Sequence, residues 1–260
     1  MIDFKGKKGL VLGIANQRSI AYAVAEALNK LGAEMAFTYG PDPKGRFEEN
    51  VRGFAKDMNV TQILPLDVRN DADITNLFAA LDKAWGGLDF LVHSVAYADR
   101  QDLEKPFSTT DRAGWQIALE VSAYSLLPLA AAAVPLMEKR GGGSIIAMSF
   151  IGSVLAVPNY NVMGPAKAAL ESSVRYLARE YGTRNIRTNS VSAGAIRTLS
   201  SAGIKSFGGM FKTAGEHSAM GRNVETEEVA KASAFLLSDA ASGITGQTIY
   251  VDCGYNIMAN

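Results

Sequence analysis

Cysteine and histidine are scarce in this chain of 260 residues. The sequence holds one cysteine, Cys253, and two histidines, His93 and His217. A single cysteine cannot form an internal disulfide framework and is typical of a reducing compartment. The three side chains are far apart in the sequence, without the short spacing of a zinc site, so we expect no bound metal. His93 ends an apolar segment and is expected to be a structural histidine.

Net charge and long apolar runs are absent as well. Lys plus Arg and Asp plus Glu each number 26, so the formal charges cancel at pH 7. No basic excess favours nucleic acid, and no apolar run is long enough to favour a membrane span. The first residues, Met-Ile-Asp-Phe-Lys-Gly-Lys-Lys, lack the apolar core of a signal peptide. We therefore expect a cytoplasmic protein with no nucleic-acid or membrane partner.

Short apolar segments alternate with amphipathic ones along the whole chain, in which 48% of residues are hydrophobic. Strands are predicted over seven segments: 9–13, 35–39, 62–66, 90–93, 144–148, 187–192 and 248–252. Helices are predicted over 20–31, 47–58, 74–85, about 111–138, 160–181 and 226–237. Apolar strands separated by helices indicate parallel βαβ units with helices on both faces of the sheet. The sequence thus predicts a single α/β domain over 1–260, doubly wound and of the Rossmann type.

One stretch pairs two side chains that can work together in catalysis. Tyr160 and Lys167 are about two helical turns apart, so both would lie on one face of a helix. Side chains lean toward the helix N-terminus, so Lys167 would reach back toward Tyr160. A nearby cation favours the phenolate and would make Tyr160 a better proton donor. The same spacing also fits a packed tyrosine and a solvated lysine on an ordinary helix.

Ligands of a doubly wound sheet bind outside the carboxyl ends of the strands. Gly13 ends the first strand and precedes a helix whose free N–H groups suit a pyrophosphate, although the full G-x-G-x-x-G pattern is missing. Ser19 would contact that phosphate or simply cap the helix. Tyr39-Gly40-Pro41 ends the second strand without an acidic residue or an arginine. Asp67 would bind an adenine amino group, with Val68 against the ring, or would only close a turn.

These and further segments resemble the NADH-dependent enoyl-[acyl-carrier-protein] reductases, a divergent branch of the short-chain dehydrogenase/reductase superfamily. The resemblance runs along the whole chain and rests on residues 13–21, 93–96, 124–125, 159–164, 167, 192–194, 196–198, 242–246 and 251–252. Its specific signal is Tyr-x6-Lys. Most of the superfamily uses Tyr-x3-Lys, and here Gly164 stands four residues after Tyr160.

The resemblance implies an enzyme that reduces the trans-2 double bond of an enoyl thioester in fatty acid biosynthesis, with NAD as its cofactor. NADH is expected over NADPH, because no arginine ends the second strand. Tyr160 would hydrogen-bond the thioester oxygen, and Lys167 would hold the nicotinamide ribose. The implied cofactor-binding residues are Gly13, Ala15, Ser19, Ile20, Gly40, Asp67, Val68, Ser94, Val95, Ala96, Lys167, Gly194, Ala195, Ile196, Thr198, Leu199 and Ser200. The implied substrate-binding residues are Tyr97, Ala98, Phe150, Tyr160, Met163, Ile204, Phe207 and Met210.

The segment 199–220 is rich in Gly, Ser and Ala, with Ile204, Phe207 and Phe211 at helical spacing. This pattern fits either a mobile lid with one apolar face or a surface helix, and the resemblance favours the lid. The resemblance also implies an acyl carrier protein as partner and a homotetramer. The basic patch for that carrier is thin, so a coenzyme A thioester stays an open alternative.

Three positions depart from the family pattern. Phe150 stands where most bacterial members carry a second tyrosine, which leaves Tyr160 as the only phenol for the thioester oxygen. Pro165 is expected in the first turns of its helix, where proline is tolerated. Ala195 replaces a proline and would loosen the loop over the nicotinamide. A carbonyl reductase of the same superfamily and a regulatory dinucleotide-binding protein with a decayed site are the two alternatives.

Overall fold

A computed structural model describes residues 2–42, 44–198, 201 and 207–259 of the chain. Its sheet consists of β1 (Lys8–Leu12), β2 (Glu34–Tyr39), β3 (Gln62–Pro65), β4 (Phe90–His93), β5 (Gly143–Phe150), β6 (Ile186–Ala193) and β7 (Thr248–Val251). The α-helices of the described residues are α1 (Ile20–Lys30), α2 (Arg46–Asp57), α3 (Asp71–Trp85), α4 (Arg100–Glu104), α5 (Arg112–Leu119), α6 (Leu126–Glu138), α7 (Met163–Tyr181), α8 (Phe207–His217) and α9 (Thr226–Leu237). A π-helical segment, Glu120–Tyr124, joins α5 to α6.

All neighbouring strands of the sheet are parallel, in the order β3-β2-β1-β4-β5-β6-β7. The order changes direction between β1 and β4, where Leu12 lies opposite His93. In sheets of this kind a ligand crevice opens at that switch point, outside the carboxyl ends of the strands. The predicted doubly wound Rossmann-type fold is confirmed.

The two faces of the sheet carry separate hydrophobic cores. One core packs α1, α2 and α9 against the sheet, with Leu28 and Val229 fully buried. The other packs α3, α6 and α7, with Leu81, Leu129 and Leu170 fully buried. Because helices cover both faces, the strands are apolar on both sides, which is the near-continuous pattern seen in the sequence.

The helix that carries Lys167 begins later than predicted. The sequence pattern suggested a helix over 160–181, but α7 starts at Met163 and Tyr160 lies in the turn before it. Asn159 and Asn161 have φ of 61° and 41°, values that a right-handed helix does not contain. Pro165 falls within the first turn of α7, as predicted, where its missing N–H has no intrahelical partner to lose.

Two further differences concern the region between β4 and β5. The helix predicted over 111–138 is interrupted by the π-helical segment, and the short helix α4 was not predicted. A π segment inserts one extra residue into a helix, and in a stretch as apolar as this one that single insertion is hard to see in the sequence. Such segments occur frequently at functional sites.

Among the described residues, one helical stretch, Arg112–Glu138, is long and apolar enough by length and composition to cross a membrane. Of its most apolar window, 56% is buried inside the protein. Leu126, Leu129 and Ala133 are fully buried in the core on one face of the sheet. The apolar character of this stretch is thus accounted for by its packing as a core helix.

Replacement of Leu28 by alanine tests the core under α1. We expect Leu28→Ala to lower the free energy of unfolding by about 3 kcal/mol, because it leaves a cavity beneath a fully buried helix face. Lys30→Ala on the same helix removes only an exposed ion pair with Glu26 and should cost less than about 1 kcal/mol. Urea unfolding followed by circular dichroism measures both. Equal losses in the two variants would contradict this description of the core.

Candidate active site

Tyr160 and Lys167 are each anchored at the carboxyl end of β5, Tyr160 by its ring and Lys167 by its ammonium. Tyr160 is 8% exposed, and its ring centroid lies 4.8 Å from that of Phe150, the last residue of the strand. Lys167 is 5% exposed, and its Nζ donates a hydrogen bond to the carbonyl of Met148 at 2.6 Å. Both side chains are therefore held by the end of the strand and do not share one helix face, because Tyr160 lies before α7, which corrects the prediction from spacing.

The turn that holds Tyr160 depends on its two flanking asparagines. Both have positive φ, and asparagine is one of the few residues other than glycine that visits this region at low cost. Gly152 lies beneath the ring: a methyl group at that position would stand 2.5 Å from a Tyr160 ring carbon. The sequence Asn-Tyr-Asn thus specifies a backbone conformation, and Gly152 supplies the room for the phenol.

Asn161 also ties the Tyr160 turn to α4. Its Nδ2 donates to the carbonyls of Asp102 and Lys105, at 3.0 and 2.8 Å. The Asp102 side chain is fully buried, and the Lys105 ammonium lies 2.6 Å from its carboxylate. This clamp joins segments more than fifty residues apart in the chain and fixes one wall of the site.

The electrostatics of Tyr160 also differ from the prediction. Burial, followed by the negative charge of Glu171, raises the pKa of the Tyr160 phenol above its ordinary value. A tyrosine in this environment stays neutral and donates a hydrogen bond more readily than it gives up its proton. Burial lowers the pKa of Lys167 to about 8, and the charge of Glu171 opposes that shift. The cation makes Tyr160 no stronger as an acid.

His93 is structural, as expected. It is fully buried, and its Nε2 lies 2.8 Å from Oγ of Ser125, at the junction of the π segment and α6. The Ser125 hydroxyl donates to the carbonyl of Val121, so it accepts from His93 Nε2–H. Burial, together with the nearby charge of Lys167, lowers the pKa of His93 to about 3. This histidine is neutral at physiological pH, and its hydrogen bond to Ser125 ties the end of β4 to the start of α6.

The π-helical segment also anchors the chain that follows β4. Oγ of Ser122 accepts from the backbone N–H of Tyr97 at 2.9 Å. Ser94 and Val95 are half-buried there, and Ala96 is exposed at the edge of the sheet. These three predicted cofactor residues thus line the exit of the strand at the switch point.

The first strand-to-helix turn has the geometry expected of a phosphate site. Gly13 has φ of 92°, and a methyl group there would lie 2.1 Å from the carbonyl oxygen of Ser94, so the ends of β1 and β4 are in close contact. Ala15 is half-buried in the turn, and Ile20 opens α1. Ser19 caps that helix, because its Oγ accepts from the N–H of Tyr22 at 3.4 Å. Of the two roles proposed for Ser19, the structure shows the cap.

A cavity of about 460 Å³ opens beyond β2 and β3, and both Gly40 and Asp67 line it. The carboxylate of Asp67 is bound by the Arg69 guanidinium at 3.0 and 2.7 Å, and this hydrogen bonding lowers its pKa. Val68 packs against the core instead of lining the cavity. Asp42 and Glu48, which were not predicted, do line it. Carboxylates therefore line the cavity although the second strand ends without one, and they are paired with Arg46, Arg52 and Arg69.

The loop after β6 faces the same edge of the sheet. The N–H of Gly194 donates to the carbonyl of Val251 at 3.0 Å, and Ala195 is buried. Ile196 packs against the core, and the N–H of Thr198 donates to Oγ of Ser201 at 2.8 Å. The predicted residues Leu199, Ser200 and Ile204 lie outside the described residues.

Four of the predicted substrate residues form one small apolar cluster. It contains Tyr160 and Met163, with Ala98 and Phe150 packed against them. Tyr97, in contrast, is 47% exposed, and its hydroxyl donates to Asp99 at 2.7 Å.

A separate apolar cavity of about 470 Å³ adjoins Tyr160 on the side of residues 152–157. Tyr160 borders both this cavity and the cluster.

The predicted lid contains helix α8. Phe207 and Met210 on it are half-buried, and Phe207 packs against Phe211 with ring centroids 6.1 Å apart. The guanidinium of Arg197 lies 4.5 Å from the centroid of the Phe211 ring. This cation–π contact links α8 to the loop after β6. Across the described part of the chain, no group of three or more His, Cys, Asp or Glu is placed to hold a metal ion.

Substitution of Asn161 tests the clamp. We expect Asn161→Gly to lower the free energy of unfolding by about 2 kcal/mol, because two carbonyls lose their donor. Asn161→Ala should cost more, since alanine must also adopt positive φ. Asn159→Gly is the matched control and should be almost neutral. Urea unfolding measures all three, and an Asn161→Gly protein as stable as the wild type would rule out the clamp.

Comparison with known proteins agrees with this geometry. A family model described as enoyl-(acyl carrier protein) reductase matches residues 13–256. The enoyl-[acyl-carrier-protein] reductase [NADH] of a Nostoc species is 49% identical over 258 residues, which cover 99% of each chain.

Solved structures give the same result. The enoyl-(acyl-carrier-protein) reductase of Anaplasma phagocytophilum, in complex with NAD, matches with a TM-score of 0.94 at 40% identity, over 99% of this chain and 96% of that one. A Bacillus cereus enoyl-acyl carrier protein reductase with NADP⁺ and indole naphthyridinone matches with a TM-score of 0.95 at 40% identity, over 100% of both chains. The chain therefore belongs to the enoyl-(acyl-carrier-protein) reductase family.

Proposed function

We propose that this chain reduces the trans-2 double bond of an enoyl thioester with NADH, as a step of fatty acid biosynthesis. The observation that carries the proposal is the buried pair at the end of β5. A neutral phenol, Tyr160, packs on Phe150, and an ammonium, Lys167, is bound to the carbonyl of Met148, so both are buried at the carboxyl edge of a doubly wound sheet. Relatives that share the fold over their whole length carry this activity in their names.

NADH, when bound, supplies the hydride for the β-carbon of the thioester. Negative charge then collects on the thioester oxygen, and the protein must stabilise it. Tyr160 is the residue for this role, because a phenol whose pKa is raised by burial remains a hydrogen-bond donor throughout the neutral range. Phe150, which packs against it, has no donor to add. One phenol therefore carries the donor role.

Lys167 supports the cofactor and the field of the site. Its Nζ uses one donor on the Met148 carbonyl, which leaves two N–H groups for the ribose hydroxyls of the nicotinamide half. Its positive charge also favours an enolate next to Tyr160. The hydrogen bond from Lys167 Nζ to the Met148 carbonyl fixes the position of that positive charge.

The residues present fit a dinucleotide without a 2′-phosphate. The turn at Gly13 presents the N-terminus of α1, which suits a pyrophosphate. The cavity beyond β2 is lined by Asp42, Glu48 and Asp67. Carboxylates at this position can accept from ribose hydroxyls, and the arginines beside them are engaged by those carboxylates, which supports NADH over NADPH.

The same proposal includes the lid, the carrier and the assembly. The half-buried apolar residues of α8 would cover the acyl chain, and an acyl carrier protein would deliver it. Arg222 is bound to Glu228 at 2.7 Å and Lys212 lies 3.8 Å from Glu216, so a free basic surface for the carrier is limited.

A cytoplasmic homotetramer is the expected form of the enzyme. Apolar side chains that stay exposed along α5 to α7 support contacts between subunits: Trp115, Tyr124, Leu127 and Tyr176.

An NADH-oxidation assay with crotonyl thioesters and a panel of ketones tests the function. We expect oxidation with the thioester only, faster with NADH than with NADPH, and reduced about a hundredfold or more by Tyr160→Phe through loss of the oxyanion donor. Phe150→Tyr should keep the activity. Tyr181→Phe, at the far end of α7, is the matched control.

Ketone-only oxidation would indicate a carbonyl reductase. NADH binding without any turnover would indicate a regulatory protein. A Tyr160→Phe enzyme with wild-type turnover would overturn the role given to Tyr160.

The ionisation of Lys167 sets the expected pH dependence. Burial lowers its pKa to about 8, so kcat/KM should fall as pH rises through about 8, because the ammonium becomes a neutral amine. His93 has a pKa of about 3, stays neutral and adds no acid limb in the physiological range. Initial rates across the neutral and basic range measure the profile.

Lys167→Arg provides the control for that profile. Arginine does not lose its proton in this range, so the basic limb should disappear even where the rate is lower. An unchanged basic limb in this variant would assign the limb to another group.

The stability of the fold should depend on pH in the opposite direction to the rate. The unfolded chain holds the Lys167 proton up to its ordinary pKa of 10.5, so the contribution of this group to the free energy of unfolding rises between about pH 8 and 10.5.

A further inference from the structure

A buried carboxylate lies one helical turn beyond Lys167, and the mechanism above does not use it. Glu171 is 6% exposed on the face of α7 that packs against the sheet. An uncompensated buried charge is costly, so its presence requires partners. Its Oε1 accepts a hydrogen bond from Oγ of Ser149 at 2.5 Å.

Two consecutive residues of β5 hold two successive turns of α7. The carbonyl of Met148 accepts from Lys167, and the hydroxyl of Ser149 donates to Glu171. Residues four apart on a helix share one face, so the ammonium and the carboxylate lie in the same dry interface, where their charges interact without a direct ion pair. Because both are anchored to the strand, neither side chain is free to turn away.

The charged and titratable groups around Glu171 come from three elements. Lys167 stands on its own helix, Tyr160 in the preceding turn, and Tyr250 on β7. Ser149, Ser192 and Tyr250 are neighbours in register across β5, β6 and β7, so they present one polar row to the helix.

Two other charged groups lie near this row. Asp252 adds a second negative charge beside Tyr250. Arg175, one turn further along α7, is exposed to solvent. Lys167 is thus the buried cation that faces Glu171.

We propose that Glu171 is a positioning residue for the reaction: held by Ser149, its carboxylate keeps Lys167 charged and seated on the Met148 carbonyl next to Tyr160. The effect reaches the substrate only through Lys167 and Tyr160. The same negative charge disfavours a phenolate, which leaves Tyr160 as a neutral donor. The part of this inference that concerns turnover rests on the function proposed above.

Titration of the Lys167 ammonium tests the coupling directly, in the protein without cofactor or substrate. Protein labelled at lysine side chains is followed by NMR, and the Lys167 signal is assigned from its absence in Lys167→Arg. We expect Glu171→Gln to move the Lys167 midpoint about one pH unit lower, because the opposite charge is lost while a bond to Ser149 can remain. Glu171→Asp keeps the charge and should stay near the wild type.

A second neutral variant and a matched control complete the design. Glu171→Met replaces the side chain by an apolar one of similar length and should shift the Lys167 midpoint in the same direction. If one of the two variants does not fold, the other can still be titrated. Glu180→Gln, at an exposed position of the same helix, should leave the midpoint unchanged. A folded Gln or Met variant with the wild-type Lys167 midpoint would overturn the proposal.

The pH profile of thioester reduction separates positioning from general structural support. With the midpoint about one unit lower, Glu171→Gln should lose about fivefold in kcat/KM at pH 8 and very little at pH 6. An equal loss at every pH would mean that Glu171 only supports packing, and would overturn its role. If wild-type protein reduces no thioester, the function proposed above fails, while the NMR titration still decides whether Glu171 controls Lys167.

Discussion

The site is built around one buried ammonium. Lys167 is held at 5% exposure by the carbonyl of Met148, and a cation in that position would be unfavourable without compensation. Its neighbours are arranged accordingly. Glu171 supplies a negative charge from the next helical turn, and His93 on the adjacent strand stays neutral, partly because Lys167 is charged. The end of β5 therefore holds both α7 and the turn that carries Tyr160 in position.

Tyr160 illustrates how a small backbone feature changes chemistry. Its two asparagine neighbours place it before α7 rather than on it, and the ring packs on Phe150 over Gly152. Burial there raises the pKa of the phenol, so hydrogen-bond donation is favoured over proton release. Stabilisation of charge by a preorganised neutral donor suits a reaction in which the cofactor performs the difficult step.

Much of the site could be predicted, and the failures have local physical causes. Sheet topology, the turn at Gly13 and the pair Tyr160–Lys167 follow from apolar periodicity, glycine placement and spacing. Asp67 was given two roles, contact with an adenine amino group or closure of a turn, and the spacing did not reveal that Arg69, two residues later, binds its carboxylate. Glu171 was missed although it stands four residues after Lys167, because a glutamate on a helix is usually a solvated one. Only its burial against β5 distinguishes it.

The sequence by itself determined the doubly wound fold and the family, and it picked out Tyr160 and Lys167 as the proposed catalytic pair, because periodicity and short motifs are local properties of the chain. The tertiary structure decided everything that depends on contacts between distant segments. Four features join residues that are far apart in the sequence. They are the hydrogen bond of Lys167 to β5, the Asn161 clamp to α4, the carboxylate-lined cavity beyond β2 and the buried Glu171. Charge and burial at those contacts, which no local pattern records, set how the residues ionise.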